Sequence, residues 1–176
     1  YELQARSRPQ RVPDGISNAV ARLVARVNDG SFSRATSGSA LAQAIDIVGK
    51  GLQRSSGYDT LAMFQERGWE SVLDSLFNPQ AAHRATMVTA GVSSGKTYSF
   101  ALPILTLIVY RAITGHGGMN RALVIYPRTS LVEDQYHAFS RLIAGVNEEL
   151  SSRGLPVVTN RPALDAGQML AASLGV

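Results

Sequence analysis

The sequence contains no cysteine, which excludes a disulfide framework and any thiolate metal site and makes a reducing, cytoplasmic compartment the natural setting. Histidine is scarce too. His83, His116 and His137 are the only three, and they lie far apart, without the paired spacing of a histidine metal site. Charged residues make up 17% of the chain against 45% hydrophobic, which excludes a disordered tail and suits a packed core. No apolar run approaches the roughly 20 residues that cross a bilayer. The longest, Phe100 to Tyr110 (FALPILTLIVY), is internal and so is no secretory signal either; it reads as a buried helix, and no membrane partner is expected. The charge balance is a modest +4 with a pI near 9.8, compatible with nucleic acid but shared by many enzymes that never touch it.

What is present fits one medium domain, or a small domain with a helical annex, in 176 residues. The chain begins at Tyr1 rather than methionine and ends on Leu174-Gly175-Val176 without tail-like composition, which reads as a piece of a larger polypeptide. Residues 1 to 13 are polar and basic and read as an arm or linker. Asp14 caps a helical pattern through Val20, Leu23, Val24 and Val27, which Asn28-Asp29-Gly30 stops. Ser31 to Ser39 reads as a loop. A second helical pattern uses Leu41, Ile45, Val48 and Leu52. A third runs from Thr60 to about Phe77, and Gly68 is a point where it could break in two. Thr86 to Thr89 then predicts a strand, Thr97 to Ile113 a helix ended by Gly115-His116-Gly117-Gly118, and Arg121 to Tyr126 a second strand. Leu131 to Leu142 predicts another helix and Pro156 to Thr159 a third strand. That order is the order of a doubly wound α/β parallel sheet, preceded by a mainly helical N-terminal region.

The predicted first strand leads into Thr89-Ala90-Gly91-Val92-Ser93-Ser94-Gly95-Lys96-Thr97. The phosphate-binding pattern is G-x-x-x-x-G-K-[ST], and Ala90 stands where its first glycine would. A tight turn of small residues lets successive backbone N–H groups face phosphate oxygens, and the helix that follows adds its N-terminal donors and dipole. Lys96 places a point charge between the β- and γ-phosphates, and Thr97 offers its hydroxyl to Mg²⁺, which otherwise keeps water and phosphate oxygens. ATP and Mg²⁺ are therefore the expected cofactors. Gly-Lys-Thr alone is common in ordinary surface loops; the predicted strand before it and helix after it favour the phosphate loop.

From Ala90 to Leu105, AGVSSGKTYSFALPIL resembles the first motif of superfamily 2 helicases, including the alanine at the loop's start and a proline, here Pro103, inside the helix. Tyr126 to Gln135, YPRTSLVEDQ, resembles the family's next motif, whose strand end touches the nucleic-acid backbone. The resemblance implies a RecA-like ATPase domain over 58–176 after a helical region over 1–57, and backbone contacts from Pro127, Arg128 and Thr129. Without the motif, Arg128 would read as a solvated charge. Leu61 to Gln65 (LAMFQ) is similar to the family's upstream glutamine motif, which assigns the adenine edge to Gln65; Gln80 is a competitor and an exposed glutamine is the plain alternative. Tyr58 could stack on the base, although an ordinary tyrosine fits as well. The form Tyr-Pro-x-x-x-Leu-Val-x-Asp-Gln is also similar to bacterial helicases of DISARM-type phage-defence systems. The resemblance covers about Leu61 to Leu142.

Two departures bear on activity. Ser93 and Val92 replace a glycine and a threonine of the usual loop, and a left-handed Ser93 would carry a backbone cost. No strand ending in Asp-Glu follows the loop, so the carboxylates that complete an ATPase site are missing, as is a second lobe. The expectation is an ATP-dependent helicase or translocase, acting on DNA in preference to RNA, with the remainder of the polypeptide and defence-complex proteins as expected partners. These 176 residues alone are expected to bind nucleotide without hydrolysing it. The alternatives are a non-catalytic nucleotide-binding scaffold and a phosphate-loop ATPase outside the helicases.

Overall fold

The computed structural model describes residues 15–82, 85–89, 95–116, 122, 124–125 and 129–158, with Thr129, Ser130 and Glu133 described in backbone only. Five helices account for most of them: α1 (Gly15–Asn28), α2 (Gly38–Ser56), α3 (Met63–Phe77), α4 (Lys96–Ile113) and α5 (Thr129–Ser152). Helix α2 is central. It packs against α1, α4 and α5, while α3 lies on α4, and α5 touches α4 along a shorter seam. No described helix is long and apolar enough to cross a membrane.

Helix α2 starts and stops for local reasons. Ser37 accepts the Ala40 N–H at 3.2 Å on its side-chain oxygen and so caps α2, while Gly57 ends it in the left-handed region at φ 64°. The Tyr110 hydroxyl ties that start to α4, lying 2.7 Å from Thr36 Oγ1 and accepting from the Ser37 N–H at 3.3 Å. The apolar faces meet in one core that includes Leu23, Leu41, Ile45, Trp69, Leu102, Leu105 and Val146.

Two contacts make the helices cross closely. At the α2–α5 crossing, a Cβ on Gly51 would lie 2.8 Å from the Val146 backbone nitrogen. At the α3–α4 crossing, a Cβ on Gly68 would lie 2.8 Å from that of Ser99. The helix does not break at Gly68: α3 runs unbroken, and its glycine serves the approach to α4. Pro103, inside α4, has no N–H for the Ser99 carbonyl one turn earlier, and it is at this turn that α3 closes in. Farther along, the buried Trp69 Nε1 donates to Thr106 Oγ1 at 3.0 Å, and that hydroxyl donates to the Leu102 carbonyl at 2.8 Å.

Arginines tie the outer faces together. Arg22 binds Glu66 at 2.7 Å, and Arg26, one turn later on α1, reaches Glu70 at 2.8 Å and Asp74 at 2.7 Å on α3. Between α2 and α5, Glu149 is only 5% exposed and receives Arg54 at 2.9 Å and Arg153 at 2.5 Å; Arg153 also reaches Asp46 at 2.6 Å. Burial by itself would push the Glu149 carboxyl up, but the hydrogen bonds and charges of Arg153 and Arg54 hold it below the usual carboxylate range. Asp46 is lowered in the same way, against its burial, by Arg153 and Lys50.

The α/β parallel sheet expected from the sequence is not what the structure shows: the described residues are helical with no strand among them. Thr86 to Thr89 lie outside any ladder, with Met87 90% exposed. Of the second predicted strand only residues 122, 124 and 125 are described, none of them in a strand, and Ile125 is 74% exposed. A run of apolar residues suits a buried strand only when neighbouring strands cover it, and Met87 and Ile125 face solvent instead. The third prediction fails for a visible reason. The Val158 N–H donates to Asn147 Oδ1 at 2.8 Å, and Asn147 Nδ2 donates to the Val158 carbonyl at 2.9 Å. A side-chain amide on α5 thus occupies the backbone groups that a neighbouring strand would use.

Candidate nucleotide site

The start of α4 gathers the candidate nucleotide residues that are described. Gly95 precedes the helix with φ 78° and ψ 31°, a left-handed conformation that glycine adopts at least cost. A Cβ there would also lie 2.6 Å from Gln65 Nε2, so the amide would have to shift from its hydrogen bond to the Gly95 carbonyl. Lys96 is the first helical residue and Thr97 the second, both partly buried. The first turn of any helix presents N–H groups that have no acceptor within the helix, together with the positive end of its dipole. This is the physical basis of anion capture at such a terminus.

Two other helices hold this turn in place. From α3, Gln65, 7% exposed, accepts the Ala62 N–H on Oε1 at 2.8 Å and donates through Nε2 to the Gly95 carbonyl at 2.8 Å. From α5, Gln135 Oε1 accepts the Thr97 hydroxyl proton at 2.5 Å. One turn farther along both helices, the Phe100 and Phe139 rings pack with centroids 5.9 Å apart. Ser99 donates to the Lys96 carbonyl at 2.6 Å. Burial pushes the Tyr98 phenol above its ordinary value, against a lowering pull from Arg141 and with a raising contribution from Tyr58.

The sequence singled out more residues than the structure places. Ala90, Gly91, Val92, Ser93 and Ser94 lie outside the described residues, as do Pro127 and Arg128. Thr129 opens α5, and its side chain is among those not described. Gln65 and Gly95 are brought into direct contact, and Tyr58 is exposed. Gln80 sits in the turn after α3, its N–H donating to Asn78 Oδ1 at 2.9 Å. Gln135 has no task in the sequence reading. It stood in the motif Tyr126 to Gln135, but nothing in a linear pattern says which side chain it meets 38 residues away.

The groups present fit a phosphate with a metal ion. A hydroxyl, an ammonium and a helix N-terminus are the right donors for phosphate oxygens and for one metal coordination position. Among the described residues no group of three or more acidic or histidine side chains could hold a metal ion. Mg²⁺ would therefore take Thr97 and otherwise keep phosphate and water oxygens, as it commonly does. A cavity of about 280 Å³ lined by Arg34, Tyr110, Arg111 and His116 lies at the other end of α4, roughly 25 Å from Lys96 by helix rise.

A family model for the DEAD/DEAH box helicase matches residues 64–169, more than half of the chain and a span that holds most of α3 and all of α4 and α5. No curated protein and no solved structure matches the chain.

Proposed function

The chain belongs to the DEAD/DEAH box helicase family, and on that premise we propose that it binds ATP with Mg²⁺ at the N-terminus of α4. It does so as part of an ATP-driven helicase or translocase on nucleic acid, DNA in preference to RNA. The observation that carries this reading is the arrangement around Gly95, Lys96 and Thr97: a left-handed glycine, an ammonium and a hydroxyl at one helix start, braced from both sides by Gln65 and Gln135.

The roles follow from the chemistry of each group. Gly95 turns the chain into α4, whose first N–H groups would face the anion. Lys96 neutralises charge on the β- and γ-phosphates, and Thr97 contributes one oxygen to the metal. The metal supplies charge neutralisation between the phosphates when bound. Gln65 is assigned to the adenine edge, with Ala90 to Ser94 forming the rest of the phosphate cradle. Pro127, Arg128 and Thr129, leading into α5, are assigned to the nucleic-acid backbone. Contacts of that kind depend on charge and not on base sequence.

The 176 residues contain no strand-end Asp-Glu pair after the loop. We therefore assign binding to this chain and hydrolysis to the complete protein, whose remaining parts would supply carboxylates and a second lobe. We place the ATPase part at 58–176, after an N-terminal region over 1–57 whose described helices are α1 and α2, with α2 packed on α4 and α5. The motif Tyr126 to Gln135 supports a place in bacterial anti-phage defence, in the cytoplasm and alongside other defence proteins.

The test is ATP hydrolysis by the complete protein with and without single-stranded DNA and RNA, beside Lys96→Ala. Hydrolysis stimulated more by DNA than by RNA, and lost in the variant, is the expected result. Absence of hydrolysis with every nucleic acid, in folded protein, contradicts the motor reading and leaves a non-catalytic nucleotide-binding scaffold.

A further inference from the structure

A threonine hydroxyl carries one proton and two lone pairs, and in Thr97 the proton is committed. Thr97 Oγ1 donates it to Gln135 Oε1 at 2.5 Å, at the short end of the range for such bonds. The oxygen lone pairs are thereby turned away from α5. We propose that Gln135 is a positioning residue for metal coordination. By holding the hydroxyl proton on α5, it presents the lone pairs of Thr97 to the Mg²⁺ of the nucleotide and ties the metal site to the helix that begins at Thr129. The inference rests on the reading of Gly95, Lys96 and Thr97 as the end of a phosphate loop.

Three observations support it. The partners lie 38 residues apart on different helices, so the contact is a product of the fold and not of local chain geometry. The Phe100–Phe139 ring pair one turn away sets the register of α4 against α5, so the amide arrives where the hydroxyl is. Coordination and hydrogen bonding also use different parts of the same oxygen, and the bond to Gln135 need not break when the metal arrives. A neighbour that accepts the proton of a metal-bound group raises that group's basicity and fixes its orientation, and its loss commonly costs about 10–100-fold in metal affinity. Gln135 lies six residues after Thr129 on α5, about 9 Å along the helix. A shift of α5 on engaging nucleic acid would therefore act directly on the Thr97 oxygen.

The test is an Mg²⁺ titration of equilibrium binding of a non-hydrolysable ATP analogue to the complete protein, in wild type, Gln135→Ala, Gln135→Glu and Lys96→Ala. In Gln135→Ala the Mg²⁺ concentration for half-maximal binding should rise by about 10–100-fold, while analogue affinity without Mg²⁺ stays at the wild-type value. Gln135→Glu keeps an acceptor and should stay near wild type. An unchanged Mg²⁺ requirement in Gln135→Ala overturns the proposal. So does an equal loss of binding with and without Mg²⁺ in both Gln135 variants, which would make the residue a brace of the fold alone. No binding by wild type, or equal binding by Lys96→Ala, overturns the phosphate-loop reading itself and the proposal with it.

Discussion

At the scale of single residues, Gly95 and Gln65 carry two requirements in one contact. The left-handed φ of 78° and the 2.6 Å approach of Gln65 Nε2 to any added Cβ both disfavour a side chain at position 95. Gly95→Ala should destabilise the protein by about 1–3 kcal/mol, from backbone strain plus overpacking, and weaken nucleotide binding at least about tenfold; denaturant unfolding and equilibrium binding check both parts. Gln65 allows a sharper discrimination. Its amide is engaged at both ends by backbone groups, Ala62 N–H and Gly95 carbonyl. If the brace dominates, Gln65→Ala lowers affinity for ATP and GTP by the same factor. If the adenine edge is what Gln65 reads, the variant loses discrimination between the two bases. The contact between Gln65 and the loop was not legible in the sequence, because the motif pairs glutamine with a base and says nothing of a carbonyl 30 residues on.

At the scale of elements, the helices were legible but the sheet expected from the sequence is absent from the described residues, for a physical reason that particular residues show. Apolar positions such as Leu41, Ile45, Val48 and Leu52 repeat at helical spacing, and that period belongs to the helix itself. A strand has no such self-sufficiency: its apolar run has meaning only beside another strand. Met87 and Ile125 had the right chemistry for strand positions, but both face solvent. Gly68 was misread in the opposite sense. As a poor helix former it suggested a break, yet its use is the close approach of α3 to Ser99. Gly68→Ala must push α3 and α4 apart, since both contacting atoms belong to stiff backbone neighbourhoods. It should therefore lower stability by about 1–3 kcal/mol despite alanine's better helix propensity. A thermal melt that rises instead would contradict this account of the crossing.

At the scale of the whole molecule, charge pairs link helices distant in sequence, and their protonation sets the acid limit of stability. Asp46 and Glu149 are held below their ordinary values in the fold, against burial, by Arg153, Lys50 and Arg54. A depressed carboxylate adds stability that is fully present above its unfolded value, near pH 4 to 4.5, and that is lost as pH falls through the lowered folded value. Melting temperature should therefore be flat in this respect near neutrality and fall steeply below about pH 4. Arg153→Met should cost about 1–3 kcal/mol at pH 7, a range discounted for the partly exposed partners, and progressively less as the pH falls through the lowered carboxylate values. A loss independent of pH would show that the aliphatic stem of Arg153 matters and its charge does not.

The family assignment comes from residues 64–169, and the nucleotide site comes from the start of α4. The most direct measurement of their connection is equilibrium binding of labelled ATP, with Mg²⁺, to wild-type protein and to Lys96→Ala. Saturable binding that weakens by an order of magnitude or more in the variant, with the fold intact by circular dichroism, is the predicted result. Equal affinity in the two proteins, or no binding by the wild type, would contradict the placement of the nucleotide at Gly95, Lys96 and Thr97.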